Sequence, residues 1–149
     1  MLEKEFTGNE IVDFTYSEII KTGAELKDVK FELILRFQRF RNLIRRRVCF
    51  SIDGLTSGDH QSGQWAYHKK GLAGDIFLRE EDGVIRTLEV FKAALEAGFT
   101  GIGVYWDGRT YSFHFDLRSN FAFWMGVKKS GSKEWIYKPL LNDPMKIIF

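Results

Sequence analysis

One cysteine, two prolines and three histidines are all that this 149-residue chain offers of those residue types. A lone Cys49 excludes an internal disulfide framework, and its setting, Val48-Cys-Phe-Ser-Ile52, reads as a buried strand in which the thiol is a small core residue. Pro139 and Pro144 both lie near the C-terminus, so nothing upstream is punctuated by proline. No apolar run is long enough to span a membrane. The N-terminal Met-Leu-Glu-Lys-Glu-Phe has neither the basic start nor the apolar core of a secretory signal, which gives the expectation of synthesis in the cytoplasm without an export leader. What is abundant is apolar: 44% hydrophobic and 15% aromatic residues suffice for a sizeable core without covalent staples. One domain is expected over residues 1–149, with an N-terminal extension to about residue 27, a central part over 28–118 and aromatic strands over 119–149.

The periodicity predicts a helix from Asp28 to about Arg45, with Leu33, Phe37, Phe40 and Ile44 along one stripe, and a second from Arg86 to Ala97, closed by Gly98. Apolar runs at Val48–Ile52, Ile76–Leu78, Gly101–Trp106, Thr110–Leu117 and Trp135–Leu140 read as strands, and Val127 to Trp135 as a basic loop between two strands with Gly131 near its tip. The pattern suggests an α+β domain with helices on one side of a mainly antiparallel sheet. Six arginines, Arg36, Arg39, Arg41, Arg45, Arg46 and Arg47, crowd the first helix and its exit. They spread around the cylinder, and the whole chain carries a formal charge of only +2, so a solvated helix is expected here and nucleic acid is not the expected partner.

Two of the three histidines fall in segments that suggest chemistry. Asp107-Gly108 predicts a two-residue hairpin turn that would set Trp106 opposite Arg109, Gly103 opposite Ser112 and Gly101 opposite His114. Strand alternation then gives one apolar face, with Ile102, Val104, Trp106, Tyr111, Phe113 and Phe115, and one polar face with Ser112, His114 and Asp116. Gly101 and Gly103 on the polar face would leave room for an ion or a substrate backbone. Upstream, His68-Lys-Lys-Gly-Leu-Ala-Gly-Asp75 places small residues between a loop histidine and an aspartate that begins a buried strand. Two imidazoles and one carboxylate fill three corners of a tetrahedron and leave the fourth to water, the pattern of a catalytic zinc site.

These stretches resemble the zinc peptidases that include D-alanyl-D-alanine carboxypeptidases, phage cell-wall endopeptidases (endolysins) and, more distantly, the hedgehog signalling domain. Thr56-Ser-Gly-Asp-His60 is similar to the family's Thr-Ser-Gly-Tyr-Arg, His68-x-x-Gly71-x-Ala73-x-Asp75 matches its His-x-x-Gly-x-Ala-x-Asp signature, and Gly101-Ile-Gly-Val-Tyr105 with His114-Phe-Asp116 looks like its closing hairpin. The resemblance runs from about Phe31 to Arg118. It implies a hedgehog/DD-peptidase-like fold, zinc held by His68, Asp75 and His114, and hydrolysis of an amide bond in peptidoglycan peptide stems by an enzyme that reaches the wall through phage-mediated release or on the virion; a monomer is expected. Zinc would activate water and polarise the scissile carbonyl.

Three positions depart from the family. His60 stands where the family usually has an arginine that contacts the substrate carbonyl or the oxyanion, and is a candidate donor to that oxyanion, with a solvated loop residue as the alternative; Ala66 stands where many members have serine, and Tyr111 where many have the catalytic acid. The general base must then come from elsewhere. Asp116 is the first candidate, emerging beside His114, with the alternative that it orients a ligand imidazole. Asp107 is the second, although aspartate favours that turn position for backbone reasons. Glu80, Glu81 and Asp82 read as a solvated acidic loop.

Overall fold

A computed structural model describes residues 13–55, 66–129 and 131–141. Its helices are α1 (Tyr16–Ile20), α2 (Phe31–Ile44), α3 (Ala66–Lys69) and α4 (Thr87–Ala97); its strands are β1 (Val48–Phe50), β2 (Ala73–Leu78), β3 (Gly101–Trp106), β4 (Tyr111–Asp116), β5 (Ala122–Lys128) and β6 (Trp135–Leu141). The six strands form one sheet in the order β1-β2-β4-β3-β5-β6, antiparallel throughout except for the parallel pair β3–β5. The α+β expectation therefore holds, with a mixed sheet that is mainly antiparallel. Among the described residues no helix is long and apolar enough to cross a membrane.

Helix α2 forms because Leu33, Ile34, Phe37 and Phe40 recur on one face and are fully buried. It begins and ends inside the expected span, at Phe31 and Ile44, and stops where Arg45 turns left-handed (φ 56°). Helix α4 buries Val90, Phe91, Ala94 and Ala97, and Gly98 ends it at φ 100°, a conformation that glycine enters without a Cβ penalty. Both helices pack on one face of the sheet. Phe37 lies at the centre of that layer, with its ring centroid 5.0 Å from Phe50, 4.8 Å from Phe99 and 6.0 Å from Phe115. Fully burying such a ring stabilises by roughly 2–3 kcal/mol. Phe14, Ile19 and Ala24 belong to the same core, so residues 14–24 are packed onto it.

The hairpin differs from its expected register. Trp106 pairs with Tyr111, Tyr105 with Ser112, Gly103 with His114 and Gly101 with Asp116, two residues along from the expected pairing. The connection is the four residues 107–110, because the Asp107 carboxylate accepts from the amides of Arg109 (2.8 Å) and Thr110 (2.9 Å) and so caps a wider loop, with Gly108 at φ 96°. An even shift preserves side-chain parity. Ile102, Val104, Phe113 and Phe115 are accordingly buried against the helices, and His114 lies on the opposite face.

The arginines at the end of α2 fasten a loop. Arg46 donates to the carbonyls of Arg79, Gly83 (2.8 Å) and Val84 (3.0 Å), while Arg47 pairs with Asp82 and Glu81 at 2.7 Å. Arg36 pairs with Glu32 at 2.6 Å and donates to the Ala97 carbonyl. Replacing Arg46 with alanine should open the 79–84 loop, read as faster protease nicking there and a lower urea midpoint; unchanged nicking would show that the three carbonyl contacts do not hold it.

Candidate metal centre

The face of the sheet opposite α2 and α4 carries the polar residues. β2 and β4 are neighbours, and their register sets Asp75 directly opposite His114. The third group arrives from α3. His68 lies in this short helix, a correction to the loop expected from the sequence, and the chain leaves the helix through Gly71 at φ 69°. A Cβ on Gly71 would lie 2.1 Å from the Asp28 carbonyl oxygen, so this turn, which lets Leu72 lead straight into β2, requires glycine.

Three ligand atoms converge. His68 Nε2 and His114 Nδ1 are 3.1 Å apart, His114 Nδ1 and Asp75 Oδ1 2.9 Å, and His68 Nε2 and Asp75 Oδ1 3.4 Å. Ligand atoms about 2.0–2.1 Å from one tetrahedral ion lie about 3.3 Å from each other. The triangle is thus close to the size that one small divalent ion imposes. Both histidines are 2% exposed, whereas the Asp75 side chain is 35% exposed, so it is the Asp75 side of the triangle that reaches solvent. His68, Asp75 and His114 together could hold a metal ion.

The tautomer of His114 strengthens the fit. Its Nε2 lies 2.8 Å from Asp116 Oδ2, and a carboxylate accepts, so the proton sits on Nε2. That leaves the Nδ1 lone pair facing the Asp75 oxygen and His68 Nε2. Either a proton or a cation between them relieves the repulsion. Burial works against a charged His114, but hydrogen bonds to Asp116 and Asp75 outweigh it and push its pKa up to about 9. Burial likewise opposes ionisation of Asp75, and the hydrogen bonds from His114 and His68 overcome it, holding that carboxyl well below the usual range. His68 Nδ1 is buried without a hydrogen-bond partner among the described residues.

Asp116 supports the centre from behind. It is fully buried, and both oxygens are engaged: Oδ1 accepts from the Arg118 backbone amide (3.1 Å) and Nε (2.8 Å), Oδ2 from Arg118 Nη2 and His114 Nε2. It meets the imidazole at the nitrogen turned away from the other two ligand atoms. Of the two roles expected for Asp116, this geometry fits the orienting one. Asp107 sits at the hairpin tip, four residues beyond Gly103 and so about 13 Å along the strand, with its carboxylate occupied by the loop amides. Glu80 and Glu81 border a separate cleft with Phe77, Arg79 and Arg109. Tyr111 packs its ring 4.5 Å from Trp106 on the core side. His60 and the stretch from Thr56 that contains it lie outside the described residues.

Gly101 and Gly103 do leave room, but for protein. A Cβ on Gly101 would meet Asp116 Oδ1 at 2.0 Å and Arg118 Nε at 2.4 Å; one on Gly103 would meet the Trp124 indole at 2.6 Å. The glycines thus admit the Asp116–Arg118 pair and Trp124 beside His114, whose ring is 5.4 Å from that of Trp124. The Arg118 guanidinium lies over both Trp124 (4.8 Å) and Tyr67 (5.1 Å). In the sequence, only its i, i+2 spacing from Asp116 marks Arg118.

Next to the centre is a cleft of about 330 Å³ lined by Ser51, Asp75, Tyr105, Ser112, Trp135 and Tyr137. The aromatic C-terminal residues divide between the faces: Phe121 and Phe123 pack against Phe91 in the core, while Trp135 and Tyr137 stand edge-on to Tyr105. Comparison of the chain with family models, with curated proteins and with solved structures found no match.

Proposed function

We propose that the chain is a zinc-dependent peptidase that hydrolyses an amide bond in the peptide stems of bacterial peptidoglycan, with a hedgehog/DD-peptidase-like fold and a role in phage lysis. The observation that carries this reading is the triangle of His68 Nε2, Asp75 Oδ1 and His114 Nδ1, whose Asp75 also lines a cleft of about 330 Å³. Two nitrogens and one oxygen in a compact triangle suit zinc better than oxygen-seeking ions such as calcium. The motifs that resemble the zinc peptidases supply the reaction class. Zinc, when bound, would activate a water and polarise the scissile carbonyl. His68, Asp75 and His114 would hold it; Asp116, clamped by Arg118, would fix the His114 ring and keep its proton on Nε2. Trp135 and Tyr137 would form the wall along which the stem lies.

A second reading keeps the metal and drops the catalysis: a noncatalytic wall-binding module. It is favoured by Tyr111 facing the core where many family members carry their acid, and by Asp116 having both oxygens engaged. Incubation of the protein with purified cell walls, with metal content measured before chelation, after it and after zinc restoration, separates the two. Release of new amino groups that stops on chelation and returns with zinc is the expected result. Stoichiometric zinc without cleavage of several wall types would establish the binding module, and absence of zinc would remove both.

A further inference from the structure

Tyr105 has a hydroxyl whose geometry exceeds what packing needs. It accepts a hydrogen bond from Trp124 Nε1 at 2.8 Å. The direction is fixed, because an indole nitrogen can only donate. The phenol's own proton must therefore point elsewhere, and the hydroxyl belongs to a side chain that lines the cleft together with Asp75. Its position is held from several sides. The ring lies over Gly126, where a Cβ would come within 2.6 Å of it; Trp135 and Tyr137 stand edge-on at 5.5 Å and 6.2 Å; and Trp124 is seated on Gly103, the residue paired with His114. A donor whose orientation is settled before substrate arrives needs little reorganisation when charge develops.

We propose that Tyr105 is a catalytic residue: its phenolic O–H donates a hydrogen bond to the negatively charged oxygen that forms on the substrate carbonyl at the metal centre. The proposal deepens the peptidase reading and rests on it. No proton is transferred; the phenol stays a donor through the step, and burial, which raises its pKa above the ordinary tyrosine value, keeps it protonated. Trp124 acts as a positioning residue by occupying the acceptor side of the hydroxyl.

The test uses the full chain loaded with cobalt, whose visible absorption reports the ligand set, and inorganic phosphate as a tetrahedral anion probe. Tyr105→Phe keeps the ring and removes the donor. It is expected to bind one cobalt with an unchanged spectrum, to bind phosphate about tenfold or more weakly, and in the zinc form to lose about 100-fold in kcat with KM little changed. Trp124→Phe, which removes only the positioning contact, should lose less on both readouts. Equal phosphate affinity in wild type and Tyr105→Phe, or no phosphate binding by either cobalt protein, would overturn the proposal. So would a Trp124→Phe loss as large as that of Tyr105→Phe, which would mean that the hydroxyl merely holds the indole. A wild-type protein that binds cobalt and phosphate but cleaves no wall would defeat the peptidase reading alone, since the phosphate comparison still decides whether Tyr105 is the anion donor.

Discussion

His114→Ala should lose stoichiometric zinc, with affinity lower by on the order of 10²- to 10³-fold, one ligand's share of the roughly 10–16 kcal/mol typical of zinc binding by small sites. Its pH dependence is as informative as its size. With its pKa pushed up to about 9, metal-free His114 carries a second proton, on Nδ1, below that pH, and this proton must leave before Nδ1 can bind an ion. Wild-type zinc affinity should therefore climb about tenfold per pH unit and level off near pH 9, and His114→Ala should lose this slope. Stability of the chelated protein should move the other way. Because the folded pKa of about 9 lies above the ordinary 6.5, the contribution of protonated His114 is complete below about pH 6.5 and is lost as pH rises through 9. The loss is of order 3 kcal/mol. Competition with a chromogenic chelator across this range, paired with urea unfolding of the chelated protein, checks both. A flat affinity profile, or zinc retained by His114→Ala, would remove His114 from the ligand set.

Arg118→Ala is expected to be the most destabilising change outside the hydrophobic core. It removes both guanidinium contacts from the Asp116 carboxylate, which is 0% exposed and keeps only the backbone amide of residue 118 and His114 as partners. Breaking a buried pair from one side costs about 3–5 kcal/mol, because the remaining charge stays desolvated. The guanidinium also leaves the faces of Tyr67 and Trp124. Asp116→Asn should cost less, since an amide oxygen can still accept from His114 Nε2, and it should lower zinc affinity by about 10–100-fold, as expected for a group that orients a ligand. Chemical denaturation and zinc competition on both variants test this. Undiminished zinc affinity in Asp116→Asn together with complete loss of turnover would return Asp116 to the role of general base.

The parts of the fold set by local rules were legible in the sequence. Helix α4 was readable because its apolar spacing and Gly98 agree, and β3 because Gly101–Trp106 is one uninterrupted run. The faces of the hairpin were readable although its register was not: parity depends only on alternation, whereas register depended on whether the Asp107 side chain or its backbone made the turn. Strand β5 escaped separate notice because apolar residues occupy both of its sides, Phe123 and Met125 toward the core and Trp124 toward His114, so no alternation marks it. Its parallel pairing with β3 joins segments that no local signal connects. At the centre, His68, Asp75 and His114 were legible through the motif they form. What surrounds them was not, since Arg118 behind Asp116 and Trp124 beneath the Tyr105 hydroxyl are contacts created by the sheet.

The three candidate ligand residues do not sit on equally firm ground. Asp75 and His114 lie on adjacent strands in the interior of a six-stranded sheet, and β4 is hydrogen-bonded on both sides. Freeing either one means breaking the middle of the sheet, so the amides around them should be among the slowest in the chain to exchange with solvent deuterium. His68 is held by a helix of four residues, a single turn with little cooperativity of its own. An ion bound here would accordingly dissociate by releasing His68 first, and its residence time would be governed by how often that one turn unwinds.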